Sequence, residues 1–156
     1  MTRSSIHFAL LLTLSIAMPV HAMTLANTFD AENNPDVAFA RPATPGATGV
    51  YMVTWEHQLS MANVDVIARL VGEDGAALGP AFTLAGDGIW ERYPAVASNG
   101  TAECLVVFQR DDGAGDTDIY GQFVSSAGIF TSSRFAISAD AKDESQPVVA
   151  YDSTHD

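Results

Sequence analysis

Pro94-Ala95-Val96-Ala97 returns further along the chain as Pro147-Val148-Val149-Ala150, an offset of 147 − 94 = 53 residues. Trp55 and Phe108, Asp65 and Asp118, Gly75 and Gly128, Phe82 and Phe135, and Leu84 and Ile137 keep the same offset. A period of about 50 residues marks blades or solenoid turns, units that bury their apolar faces only against neighbours. Pro35 stands 94 − 35 = 59 residues before Pro94. That longer first interval is absorbed in residues 40–49, a Pro/Gly-rich stretch, and insertions between strands are what repeat proteins tolerate.

Each repeat reads as four short strands. In the second, residues 95–97 form the first strand, closed by Asn99-Gly100, a strong two-residue hairpin dipeptide. Residues 104–109 form the second strand and residues 118–124 the third, after the polar, Gly-rich loop 111–117. Ala127-Gly128 turns the chain into a fourth strand over 134–138. The first repeat has the same order, with strands over 37–39, 50–56, 64–71 and 81–84. Short strands at regular spacing with turn residues between them predict an all-β fold. In the second strand Tyr51, Val53 and Trp55 share one face with Met52 and Thr54 on the other, and both faces are largely apolar. Such a strand is covered on both sides, as a blade between neighbouring blades would be. Four-stranded sheets set around an axis make a β-propeller, usually of four to eight blades.

Residues 105–111 (Leu-Val-Val-Phe-Gln-Arg-Asp), followed by 116–124 (Asp-Thr-Asp-Ile-Tyr-Gly-Gln-Phe-Val) and Ala127-Gly128, resemble the tandem repeats of secreted bacterial propeller proteins. Residues 146–151 are similar to the strand that opens each of those repeats. The resemblance covers residues 50–156, more faintly 35–49. It implies β-propeller-like tandem four-stranded blades and says nothing of an activity. The first repeat departs from the pattern at Glu56-His57-Gln58 and Val66-Ile67-Ala68-Arg69, as a terminal, capping repeat would.

The organisation expected is a signal peptide over 1–22, a lead-in over 23–34, one propeller-type repeat over 35–92, a second over 93–145, and the start of a third over 146–156. Arg3 followed by the apolar run 8–18 and then Val20-His21-Ala22 has the pattern of an export signal cleaved after Ala22. The run is shorter than the roughly 20 residues needed to span a bilayer. The protein is therefore expected to be secreted or periplasmic. About two blades plus one extra strand make an incomplete ring, and unpaired edges invite association. The chain is expected to be a piece of a longer protein whose other blades complete the ring. Self-association of identical chains is the alternative.

The formal net charge is −12, from 7 Lys and Arg against 19 Asp and Glu. An acidic surface repels phosphate backbones and anionic lipid, so neither nucleic acid nor a membrane surface is an expected partner. The single cysteine, Cys104, lies in an apolar run and reads as a small buried hydrophobe. Asp111, Asp112, Asp116 and Asp118 crowd one loop and are candidate oxygen ligands for Ca²⁺. Their spacing is not that of an EF-hand, and Gly and Asp turn preferences account for the same residues as a solvated hairpin loop. Trp90 and Tyr93 are the candidate ligand-binding residues. Trp90 sits in the link between repeats, has no counterpart (Asp143 stands 53 residues on), and could stack on a sugar or anchor a protein. The bland alternative is packing against the neighbouring blade.

No nucleophile elbow, zinc-protease helix or phosphate-cradling loop is found. The reading that follows is an exported binding or scaffold module without catalysis, presenting loops to an extracellular protein or glycan. A fragment of a secreted propeller hydrolase, with its catalytic residues in other blades, and a purely structural repeat of a long surface protein are the alternatives, and fold alone does not choose among them.

Overall fold

The computed structural model describes residues 31–42, 44, 46–111, 113 and 115–154. The export segment and its cleavage point after Ala22, most of the lead-in, Asp112 and the last two residues lie outside the described residues. Among those described, eight strands form two four-stranded antiparallel sheets and no helix. The first sheet runs β1 (Glu32–Ala40), β2 (Val50–Ser60), β3 (Asn63–Gly72), β4 (Phe82–Ala85), in that order. The second runs β5 (Glu91–Ser98), β6 (Glu103–Asp111), β7 (Thr117–Ser125), β8 (Phe135–Ser138). No long apolar helix that could cross a membrane occurs among the described residues.

The two sheets share one register. Trp55 stands opposite Ile67, and Phe108 opposite Tyr120. The irregularity between Val66 and Ile67 in the first sheet recurs between Ile119 and Tyr120 in the second. The turns after β3 and β7 are alike as well, with Gly75 (φ 80°) and Gly128 (φ 75°) each in the left-handed region that glycine adopts freely.

Three sequence expectations need correction. First, β1 and β5 begin before their prolines rather than at them. A proline donates no ladder hydrogen bond, so it reads as a strand boundary. Here the ladder crosses it by a bulge, between Asn33 and Asp36 and between Arg92 and Ala95. The residue ahead of each proline takes a left-handed backbone, Asn34 at φ 48° and Tyr93 at φ 52°. Second, Asn99-Gly100 does not make a two-residue turn. Only Gly100 has positive φ, whereas the type I′ turn needs two such residues. The Asn99 side chain instead accepts hydrogen bonds from the backbone of Thr101 (3.0 Å) and Glu103 (3.3 Å), holding a longer loop. Third, residues 146–151 are not a strand, since no described strand pairs with them. Gln146 nevertheless has φ 53°, the same turn ahead of Pro147. The two sheets are open and do not close a ring.

One core lies between the sheets. Met52, Val66, Ala68 and Leu70 of the first face Val106, Phe108 and Val124 of the second, with Tyr120 packed against them. A separate cluster of Val53, Trp55, Ile67 and Val71 lies on the other side of the first sheet. Adding 53 to those four positions gives Val106, Phe108, Tyr120 and Val124. The back of the first sheet therefore corresponds to the face by which the second meets its neighbour, and the sheets stack front to back. Cys104 is buried in the same core, its thiol pushed up to about 11 chiefly by burial.

Two carboxylates stitch the sheets together. Asp36 Oδ2 accepts the backbone N–H of Val96 at 2.8 Å. Glu56 Oε1 accepts from Asn34 Nδ2 at 2.7 Å and from the backbone N–H of Tyr93 at 2.8 Å, joining the β1 bulge to the β5 bulge.

Candidate functional site

The link between the sheets, residues 86–90, is fixed at its end by both of them. Val64 of β3 donates its N–H to the carbonyl of Ile89 (3.3 Å) and forms a parallel bridge with Trp90. Asp111 of β6 donates its N–H to the carbonyl of Trp90 at 2.9 Å. Trp90 is thus held by one ladder on each side, while its side chain stays 36% exposed. The Arg92 guanidinium lies over the indole, 4.0 Å from the ring centroid, at cation–π distance.

Along a regular strand, neighbours point to opposite faces. The bulge at Tyr93 breaks that alternation, and Arg92 and Tyr93 line the same cleft. Gln109, directly opposite Arg92 in the ladder, and the Asp111–Thr117 pair complete its wall. The cleft has a volume of about 160 Å³. Two of its buried polar atoms lack hydrogen-bond partners: Arg92 Nε, a donor, and Gln109 Oε1, an acceptor. Neither atom has surface open to the cleft, and buried atoms elsewhere, Thr54 Oγ1 and Glu144 Oε2 among them, are in the same state.

Sequence reasoning found Trp90 and Tyr93, which line this cleft together. It missed Arg92 and Gln109, which the bulge and the ladder bring to the cleft, a property of the fold. The four aspartates meet a different outcome. Asp111 lines the Trp90 cleft, and its Oδ1 accepts the N–H of Gly113 at 2.7 Å, as a turn aspartate does. Asp118 is buried in β7, opposite Arg110. Asp116 precedes β7, and Asp112 lies outside the described residues. Among the described residues, no three His, Cys, Asp or Glu side chains group so as to hold a metal ion.

An acid cluster lies beside the link, with Glu91 and Asp65 buried and Asp87 exposed. Glu91 is 0% exposed; burial pushes its carboxyl up to about 7, against the opposing hydrogen bond from the Asp87 backbone N–H (3.2 Å). Arg110 approaches Asp87 at 3.3 Å and Glu91 at 3.9 Å. Arg134 also pairs with Asp87, and its hydrogen bond is the main cause holding the Asp87 carboxyl below its usual value. Asp65 is raised, first by burial, with His57 opposing and Asp87 adding. Glu91 has counterparts in Glu32 (91 − 59) and Glu144 (91 + 53), a Glu-x-x-Pro recurrence legible in the sequence and overlooked there. These acids line neither this cleft nor the apolar cavity of about 180 Å³ beside Cys104 and Tyr151. No family model, curated protein or solved structure matches the chain.

Proposed function

We propose that this protein is an exported binding module of the β-propeller type, whose link between successive sheets presents the Trp90 cleft to an extracellular glycan or protein. The front-to-back stacking supports the propeller-type reading. A sheet whose front matches its neighbour's back forms a head-to-tail interface, and such interfaces close into rings when the rotation allows. Further sheets of the same kind, from a longer protein or from identical chains, are then the partners that complete the ring.

The observation that carries the binding role is an exposed tryptophan that lines a cleft and whose backbone is held by hydrogen bonds from both sheets. Binding sites place a few convergent polar groups in a largely preformed concavity, and function concentrates on loops carried by a rigid scaffold. The acids that converge do so around Arg110 and Arg134, fully buried in the case of Glu91. That arrangement suits a structural lock better than a hydrolytic carboxylate pair. The test is a printed array of glycans and extracellular proteins probed with the full chain and with Trp90→Ala. Retention that the substitution abolishes supports the role; binding indifferent to Trp90, or none, overturns it.

A further inference from the structure

We infer that the outer face of the second sheet is the seat of one more β-strand of the β6 kind, laid antiparallel against residues 148–150. This rests on the reading that further sheets stack on this chain, and it names the element that makes the contact.

The chain leaves the second sheet as it leaves the first. At the first junction Val64 donates its N–H to the Ile89 carbonyl and bridges Trp90. The counterpart of Val64, 53 residues on, is Thr117. Glu144 donates its N–H to the Thr117 carbonyl at 2.7 Å, and the Thr117 hydroxyl donates to the Glu144 carbonyl at 2.9 Å. Gln146 then repeats the left-handed turn of Tyr93. Residues 147–150 are the counterparts of 94–97 in β5. Val149 and Ala150 lie beside Leu105 and Phe123. Those two alternate along their strands with Cys104, Val106 and Val124, which face the first sheet, so they belong to the outer face.

At the interface between the two sheets the same positions are filled. Ala38, Met52, Leu70 and Val96 are buried in one core with Cys104 and Val106 of β6. Their counterparts Ala97, Leu105, Phe123 and Val149 line the apolar cavity of about 180 Å³, and the last three are only half-buried. The difference between the two places is β6. Val106 stands opposite Val96 in the ladder, so the side chains that fill the first interface come from the strand paired with β5.

Residues 148–150 belong to no strand, and Val148 is 92% exposed. An unpaired stretch of backbone beside an apolar cavity is what strand addition uses: main-chain bonds give affinity, and pockets for alternate side chains give specificity. The cavity selects a strand with apolar residues at alternate positions, of the size of Cys104 and Val106. A second copy's first sheet would bring its own β1 to the place that residues 147–150 already take. The occupant is therefore the second strand of a further sheet.

The experiment is calorimetric titration and amide hydrogen exchange on the full chain with a synthetic peptide of residues 103–111. In the peptide Leu105→Lys and Val107→Lys, both on the strand's other face, keep it soluble. Binding is expected, and at a peptide concentration of about ten times Kd exchange at 148–150 should slow about tenfold. Val106→Asp in the peptide, which strands a charge in the cavity, should abolish both effects, as should Leu105→Asp in the full chain. Binding that Leu105→Asp abolishes but that leaves 148–150 unprotected overturns the strand pairing and keeps the stacking of further sheets. No binding, or binding indifferent to Leu105→Asp, overturns this inference and the stacking together.

Discussion

A carboxyl group sealed from water holds its proton to higher pH, and Glu91 is sealed completely. Between its ordinary value of 4.5 and about 7 the folded protein keeps a proton that the unfolded chain has released. Stability from this group is therefore full below about pH 4.5, falls as pH rises through about 7, and is level beyond. The loss is on the order of 3 kcal/mol. Asp65 pulls in the same direction, while Asp87 has the opposite sign, contributing above its ordinary 3.8 and losing that contribution on acidification. Glu91→Gln, which imitates the protonated form, should flatten most of the decline, as urea melts at pH 5 and pH 8 would show. A decline as steep as that of the wild type would mean that other groups cause it. In the core, Phe108 is fully buried, and Phe108→Ala should cost about 3–5 kcal/mol in the same melts.

The two bulges belong to the scale of the strand. Asn34 and Tyr93 sit at positive φ directly ahead of proline, a position that disfavours helical backbone as well. Asparagine tolerates that conformation and a β-branched residue does not. Tyr93→Val should lose about 1–3 kcal/mol, and Tyr93→Asn should be close to neutral, measured by thermal melts. All eight strands were legible from the 53-residue repeat and the turn residues between them, because each strand recurs with its neighbours in the same order. Their starts at Glu32 and Glu91 were not, because a proline hides a ladder that a bulge carries past it. Trp90 and Tyr93 stood out as aromatics in a link. Arg92 and Gln109 did not, since the bulge that brings Arg92 to the cleft exists only once the ladder is in place. The aspartate-rich loop read as one cluster in sequence, yet the adjacent Asp111–Thr117 and Arg110–Asp118 rungs put Asp111 and Asp118 on opposite faces of the sheet.

At the scale of the molecule, the two sheets are joined by a shared apolar core and by the Asp36 and Glu56 carboxylates. Each carboxylate accepts a backbone N–H of β5, a charge-assisted bond of about 1.5–3 kcal/mol. Asp36→Ala with Glu56→Ala should turn one cooperative urea transition into two, or lower its slope, as the sheets come to unfold separately. A single transition of unchanged slope would assign the coupling to the core alone. The outer face of the second sheet exposes Phe135 (36%) and Ile137 (51%). Ile137→Glu should therefore reduce concentration-dependent association in light scattering.

Trp90 is tied to β3 on one side and to β6 on the other, so its cleft exists only while both sheets keep their places. A molecule seated there acts as a clamp across the junction. A molecule that bound only while the sheets are paired would stabilise the pairing in proportion to its occupancy, and a variant with a loosened junction would bind it more weakly.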